Sequence, residues 1–117
     1  MNKRQLLGKL GERLAKQFYL GKHFEILSCN YRHRRNEIDL IVKKKDLLVF
    51  VEVKTRSSIS FGYPEEMVSH RQRAGIVKAA EEYIYINDWK GRIRFDIISI
   101  LKRGGSTTLK HFEDVLY

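Results

Sequence analysis

The alternation of apolar and polar residues is clearest over residues 36–54, where Lys43-Lys44-Lys45-Asp46 separates two apolar segments. Both segments are rich in branched and aromatic side chains, which is the pattern of a β-hairpin. With Lys45-Asp46 as a two-residue loop, the register predicts four cross-strand pairs: Asp39–Glu52, Glu37–Lys54, Leu40–Val51 and Val42–Val49. A slip of one residue would move every side chain to the opposite face of the sheet.

This register gives the hairpin one apolar and one mixed face, because residues paired across a ladder and residues two apart on a strand share a face. The predicted apolar face comprises Ile38, Leu40, Val42, Val49, Val51 and Val53. The mixed face is apolar near the turn, at Ile41, Leu48 and Phe50, and polar at its far end, at Glu37, Asp39, Glu52 and Lys54. The hairpin therefore predicts a core face on one side and a charged cluster on the other.

The charged cluster has two interpretations. A solvated surface explains Glu37 opposite Lys54, but it does not explain Asp39 opposite Glu52, because like charges directly across a ladder are destabilising. Carboxylates about 5 Å apart at their Cβ atoms favour a proton or a divalent cation between them. Two carboxylates, completed by waters and a backbone carbonyl, suit Mg²⁺. The pattern therefore favours a metal site over a solvated face.

Helical periodicity and further apolar runs complete the order of elements. A helix is predicted over residues 3–21, where apolar residues recur at helical spacing at Leu7, Leu10, Leu14 and Phe18. A second helix is predicted from an N-cap at Ser69 to about Asn87. Strands are predicted at residues 24–31 and 93–100, with a short edge strand at residues 109–113. The order α-β-β-β-α-β, with an optional last strand, predicts an α/β fold with a mixed central sheet flanked by helices.

Two polar residues on the predicted helices each have two interpretations. The neighbours of Glu12 on its helix include Gly8 and Gly11, and glycines in a helix cost roughly 1 kcal/mol each against alanine. A close approach of this helix to the sheet would account for that cost and would aim Glu12 at the hairpin carboxylates. The alternative is a surface glutamate that offsets nearby lysines. Gln72 either completes a capping box with Ser69 or faces the site from the start of its helix.

The length and composition fit one soluble domain over residues 1–117. Hydrophobic residues make up 43% of the chain and charged residues 32%, so a chain of this length can bury a core without disulfides or metal staples. The single cysteine, Cys29, is compatible with a reducing cytoplasm. The N-terminal residues do not resemble a signal peptide, and no apolar run approaches membrane-spanning length. We therefore expect a cytoplasmic protein that does not enter a membrane.

The formal net charge of +9 favours binding to polyanions, chiefly nucleic acid. Ribosomal proteins and membrane-surface proteins are also basic, so charge alone is weak evidence. Five arginines beside the predicted site are candidates for contact with phosphates: Arg32, Arg34, Arg35, Arg56 and Arg71. Together, the positive charge and the clustered carboxylates suggest contact with a phosphate backbone around a metal-dependent cleavage site.

Five segments form a specific combined pattern: Gly8 with Gly11-Glu12 and Ala15, residues 36–41, residues 50–56, Phe61-Gly62, and Arg94-Phe95-Asp96. With these segments the chain resembles the YraN-like family of small bacterial proteins over nearly its whole length. That family is assigned to the PD-(D/E)xK nuclease superfamily and is similar to archaeal Holliday junction resolvases. The resemblance implies a restriction-endonuclease-like core.

The resemblance also implies roles for individual residues. Asp39 and Glu52 would bind the metal, Lys54 would be the catalytic lysine, and Glu12 would be an additional acidic residue from the first helix. We also predict that the Val53 carbonyl is a further metal ligand. Glu12 would either steer this metal or bind a second one. Glu37 and Gln72 are supporting candidates, and Mn²⁺ is the alternative ion to Mg²⁺.

Two functions of different classes follow. The leading hypothesis is a Mg²⁺-dependent endonuclease, or nuclease-like DNA-processing protein, that hydrolyses phosphodiester bonds. Its substrate would be DNA, and branched DNA would suit a homodimer, although no residue requires one. The alternative is a non-catalytic nucleic-acid-binding or adaptor domain that keeps the fold and the charge.

Overall fold

The computed structural model describes residues 1–60 and 62–115, and for Met67 the backbone alone. Its helices and strands are α1 (Lys3–Gly21), β1 (Glu25–His33), β2 (Asn36–Lys44), β3 (Leu47–Arg56), α2 (His70–Ile86), β4 (Arg92–Arg103) and β5 (Ser106–Phe112). A 3-10 turn over Pro64–Met67 precedes α2. Phe61, which belongs to one of the segments that carry the family resemblance, lies outside the described residues.

The strands form one mixed sheet in the order β1-β2-β3-β4-β5. β3 and β4 are parallel and the other neighbours are antiparallel. A parallel pair needs a long crossover connection, and α2 lies in the crossover between β3 and β4. The predicted α/β class and the predicted order of elements are confirmed, with β5 as the optional last strand.

The predicted hairpin register is confirmed over the half nearest the turn. The paired residues run from Lys44–Leu47 to Leu40–Val51, and Lys45 has a φ of 55° in the two-residue loop, as a tight hairpin turn requires. The ladder ends at Leu40–Val51, before the level of Asp39. The predicted Glu37–Lys54 ion pair is wrong, because Glu37 pairs instead with Arg32 across the β1–β2 ladder.

The two faces of the sheet hold separate apolar clusters. Beneath α1, Ala15 and Tyr19 pack against a set of strand residues that includes Leu40, Val42, Val49, Val51, Ile98 and Ile100. Beneath α2, Ile76 and Ala80 pack against Ile38, Ile41, Leu48 and Phe50. The predicted apolar face is therefore correct except at Ile38, which lies on the opposite side of the sheet from Leu40.

The change of side at Ile38 coincides with a left-handed residue on the neighbouring strand. β1 pairs Cys29 with Leu40 and Tyr31 with Ile38, and Asn30 between them has a φ of 54°. A left-handed residue within a strand bends the chain and interrupts the regular alternation of side chains. Tyr31 and Ile38 both pack on the α2 side, so the two strands change face at the level of Asp39.

Neither helix has the length and apolar character that crossing a bilayer requires, within the part of the chain that the structure describes.

Candidate metal and nucleic-acid site

Asp39 and Glu52 lie where β2 and β3 stop pairing. The Asp39 side chain occupies the gap between the strands, and its Oδ2 accepts a hydrogen bond of 2.7 Å from the backbone N–H of Val53. The carboxyl groups of Asp39 and Glu52 lie close enough for each to shift the pKa of the other.

Burial and mutual repulsion disfavour the ionised forms of both carboxyls. Glu52 is only 5% exposed. Burial raises the pKa of Glu52, and the nearby charge of Asp39 raises it further. Burial likewise raises the pKa of Asp39, although the Val53 N–H opposes the shift. Groups in this situation gain most from a cation, because a positive charge between them favours both ionised forms.

Lys54 and Gln72 both contact Glu52. The Lys54 Nζ lies 3.7 Å from Glu52 Oε1, and the lysine side chain is 15% exposed. The Gln72 Nε2 donates a hydrogen bond of 2.9 Å to the same oxygen. The backbone N–H of Gln72 donates to Ser69 Oγ, so Ser69 caps α2 as predicted. The side chain of Gln72 is therefore directed at the site and not at the start of its own helix.

Two cavities meet at Asp39, which lines both of them. The first has a volume of about 470 Å³ and lies between α1 and the end of β3, where Glu12 and Lys54 line it. The second has a volume of about 680 Å³ and lies against the start of α2, where Glu37, Glu52 and Gln72 line it. The Asp39 carboxylate is therefore open to both cavities, and the Glu52 carboxylate is open to the second.

Glu12 has features of both predicted roles, as a residue near the hairpin carboxylates and as a surface glutamate paired with a lysine. It lines the same cavity as Asp39, but its ion pair is with Lys16, 3.2 Å away and one turn along α1. α1 approaches the sheet closely at Gly11, where an added Cβ would lie 1.9 Å from Thr55 Oγ1. The close approach that the glycines predicted is therefore found at Gly11, and it places Glu12 at the cavity.

The donor atoms in the gap fit a small divalent cation. Among the described residues, no three His, Cys, Asp or Glu side chains lie close enough together to hold a metal, and the gap itself holds the two carboxylates of Asp39 and Glu52. The N–H of Val53 faces Asp39, and a strand residue directs its N–H and C=O to the same neighbour, so its carbonyl faces the gap. Mg²⁺ commonly takes one or two carboxylates and keeps waters or substrate phosphates, which this oxygen set allows.

The five candidate arginines are divided between the cavities and the surface. Arg56 lines the first cavity, whereas Arg35 and Arg71 line the second. Arg32 lies outside both cavities and donates to Glu37 Oε2 at 2.9 Å. Arg34 lines a separate hollow beside α2. Three of the five therefore lie beside the carboxylates.

Comparison with known proteins identifies close relatives over nearly the full chain. The model of "Uncharacterised protein family UPF0102" matches residues 11–100. A UPF0102 protein of Flavobacterium psychrophilum is 45% identical over 95% of this chain and 93% of its own length. UPF0102 proteins of Christiangramia forsetii and Chlorobium limicola are 40% and 42% identical, each over 95% of this chain and 93% and 92% of their own lengths.

The chain belongs to the UPF0102 family. The predicted resemblance to the YraN-like family is thereby confirmed. The matched part of this UPF0102 protein contains Glu12, Asp39, Glu52, Lys54 and Gln72.

Several residues that line the first cavity of this UPF0102 protein were missed in the sequence. Arg4 and Lys9 of α1 and Asn30 of β1 lie beside Asp39 there. Arg4, Gly8 and Glu12 are spaced four residues apart and therefore share one helix face, so this spacing could have identified Arg4. Asn30 has a left-handed backbone, which asparagine tolerates, but the presence of an asparagine does not by itself predict this conformation.

Proposed function

We propose that this UPF0102 protein is a Mg²⁺-dependent nuclease that hydrolyses phosphodiester bonds. The observation that carries the proposal is the Asp39–Glu52 pair, in which a half-buried and a buried carboxyl meet at a strand gap and each has a raised pKa. A protein that binds no cation there would gain stability from an apolar or amide pair instead. The net charge of +9 supports nucleic acid as the partner, and the family resemblance supports DNA.

The proposed metal ligands are the carboxylates of Asp39 and Glu52 and the Val53 carbonyl, with Mn²⁺ as the alternative ion. A bound ion would lower the pKa of a coordinated water and neutralise charge that develops on the phosphate. The chain itself fixes the ligand geometry. The Val53 N–H holds Asp39, and the Gln72 amide holds one oxygen of Glu52.

Lys54 is the proposed catalytic lysine. Its ammonium lies beside Glu52 and is mostly shielded from solvent, so its charge is stronger toward a phosphate than that of an exposed lysine. From this place it would donate to a phosphate oxygen or orient the attacking water. Glu12, across the first cavity, would orient water at the same centre. Arg35, Arg56 and Arg71 would hold flanking phosphates.

The test compares Asp39→Asn and Glu52→Gln with the wild-type protein in cleavage of single-stranded, duplex and branched DNA, with Mg²⁺ or Mn²⁺. Both variants should lose cleavage and also lose the heat of metal binding in titration calorimetry. The matched control is Asp46→Asn, because Asp46 lies in the turn of the same hairpin and pairs with Arg92. It should retain both properties.

Two results would reject the proposal. Cleavage that persists unchanged in both variants would exclude this mechanism. Absence of any metal binding by the wild-type protein, together with salt-sensitive DNA binding, would favour the non-catalytic nucleic-acid-binding domain instead.

A further inference from the structure

The first turns of α1 line an open groove that the core does not use. It has a volume of about 710 Å³, and its apolar side is formed by Leu6, Leu7 and Leu10. Leu14 and Phe18, from the same predicted apolar stripe as Leu7 and Leu10, pack on the core. Leu6 is 55% exposed. The N-terminal half of the stripe therefore faces a groove and not the sheet, within the part of the chain that the structure describes.

Cations surround this apolar side. The groove is also lined by Lys3 and Arg4 of α1, Arg56 at the end of β3 and Lys102 of β4. The apolar side and the surrounding cations together complement a ligand that carries both negative charge and apolar surface. Unpaired nucleotides have this chemistry, since each presents a phosphate and the flat face of a base.

The groove is continuous with the candidate site. Arg4, Leu7, Thr55 and Arg56 line both the groove and the cavity that contains Asp39 and Lys54. A strand that lay in the groove would therefore lead directly to the carboxylates.

A regular duplex is a poor occupant for the groove. Its bases are stacked and paired inside, so it would place sugars and phosphates against the three leucines, which cannot replace the hydrogen bonds that these polar groups make with water. A single strand can turn its bases onto apolar side chains, as flipped bases do in enzyme pockets.

We propose that this groove binds unpaired nucleotides, so that the substrate is a nucleic acid with a single-stranded segment next to the scissile bond. The inference rests on the proposed nuclease function and names its substrate class. Leu6, Leu7 and Leu10 contact the bases, and Lys3, Arg4, Arg56 and Lys102 contact the phosphates.

The test measures binding without metal, by fluorescence anisotropy in EDTA, so that it does not depend on cleavage. The probes are an oligothymidylate of about 12 nucleotides, an abasic strand of the same length, and a duplex. The wild-type protein should bind the oligothymidylate at least about fivefold more tightly than the abasic strand. The abasic strand keeps the phosphates, so the difference reports contact with bases.

A matched pair of variants locates this contact. Leu6→Ser should lose the preference for the oligothymidylate and keep the affinity for the abasic strand. Leu20→Ser is the control, because Leu20 is on the same helix, is 54% exposed and does not line the groove. It lies about 21 Å from Leu6 along the helix axis and should leave both affinities unchanged. Similar thermal unfolding of the two variants would show that both are folded.

Three affinity results would overturn the inference. They are equal wild-type affinity for the oligothymidylate and the abasic strand, tighter binding of the duplex, and equal effects of the two serine variants. A dimer in sedimentation that Leu6→Ser dissociates, without a change in nucleic-acid affinity, would assign the groove to a second copy of the chain and overturn it as well. Asp39→Asn should keep the preference for bases, so failure of the groove and failure of the metal site are separable.

Discussion

Asp39 and Glu52 cost the metal-free protein stability, because Glu52 is buried and Asp39 is half-buried beside it. Burial comes first among the causes that raise the pKa of both groups. Removing a buried charge that has a like-charged neighbour generally stabilises a fold, even when function needs the charge. The other buried residues that the structure describes are mostly apolar, so their burial offsets the cost of this pair.

Glu52→Gln should therefore raise the free energy of unfolding of the metal-free protein by about 1–2 kcal/mol at pH 8. The amide keeps the size of the side chain and removes an ionisable group whose charged form is disfavoured by burial and by Asp39. Urea denaturation in EDTA measures this change. Repeating it with Mg²⁺ should stabilise only the wild-type protein, since a ligand that binds the native state raises its stability.

Glu37→Gln is the control for that measurement, because Glu37 lines the same cavity but is partly exposed and pairs with Arg32. Its effect should stay within about 0.5 kcal/mol. A Glu52→Gln protein that is less stable than the wild type in EDTA would contradict the view that this pair is strained.

Two glycines of α1 differ in the space around them. An added Cβ at Gly11 would lie 1.9 Å from Thr55 Oγ1 and 3.1 Å from its Cβ, whereas at Gly8 nothing lies within 4 Å. Gly11 therefore sets the distance between α1 and β3. Gly8 faces the cavity beside Asp39.

The two alanine variants should change stability in opposite directions. Gly8→Ala should stabilise the protein by up to about 1 kcal/mol through helix propensity. Gly11→Ala should destabilise it by about 1–2 kcal/mol, because overpacking costs more than the gain in propensity. Thermal or urea unfolding of both variants checks this. Equal stabilisation by both would show that α1 does not depend on its close approach at Gly11.

Asp96 joins β4 to three other segments. It is fully buried, and its carboxylate contacts Arg94 at 2.9 Å, His111 at 2.7 Å and Tyr19 at 2.8 Å. The backbone N–H of Asp114 donates to it as well, at 3.0 Å. Burial alone would raise the pKa of Asp96, but hydrogen bonds, first from His111 and then from Arg94, outweigh it and lower the pKa to about 2.

Asp96 should make the protein sensitive to acid. Its pKa is about 2 in the folded state and about 3.9 when unfolded. Its contribution is therefore present above about pH 4 and is lost as the pH falls through about 2. The loss should amount to about 2 kcal/mol. Urea denaturation at a series of pH values from 6 to 2 measures it.

Asp96→Asn tests the assignment of this acid sensitivity. The variant should be less stable near neutral pH by about 3–5 kcal/mol, because Arg94 loses its buried partner, and its stability should change less between pH 4 and 2. Asp88→Asn, at an exposed aspartate, should follow the wild-type curve. An identical acid dependence in wild type and Asp96→Asn would contradict the prediction, and a carbon-detected NMR titration of Asp96 in the wild type gives an independent reading.

The elements and the hairpin register could be predicted from the sequence because apolar periodicity reports directly on burial. The break at Asp39 could not, because the alternation of apolar residues continues through Ile38 and Leu40 in the sequence. This break moved Ile38 to the other face and left Glu37 to pair with Arg32. Leu7 and Leu10 line the groove, but they fit a helical apolar stripe equally well in a core. The sequence pattern therefore could not show that these two residues face a groove.

Part of the positive charge behind the net +9 lies at the two cavities, where it can act on a polyanion. Arg4, Lys9 and Arg56 line the first cavity, and Arg35 and Arg71 line the second. The opposite end of the β3–β4 pair carries Arg92, which is neutralised by two hydrogen bonds to Asp46. Binding of nucleic acid should therefore depend on salt through the arginines at the cavities.

The affinity for a single strand should fall linearly with salt on a double-logarithmic plot, because phosphate contacts release counterions. Arg56→Ala should reduce the slope by about 0.7, the contribution of one phosphate contact on a single strand. Arg92→Ala removes the same formal charge at the far end of the sheet and should leave the slope unchanged. Anisotropy titrations across a range of salt concentrations measure all three slopes. Equal reductions in both variants would mean that net charge, and not the position of the arginines at the cavities, governs binding.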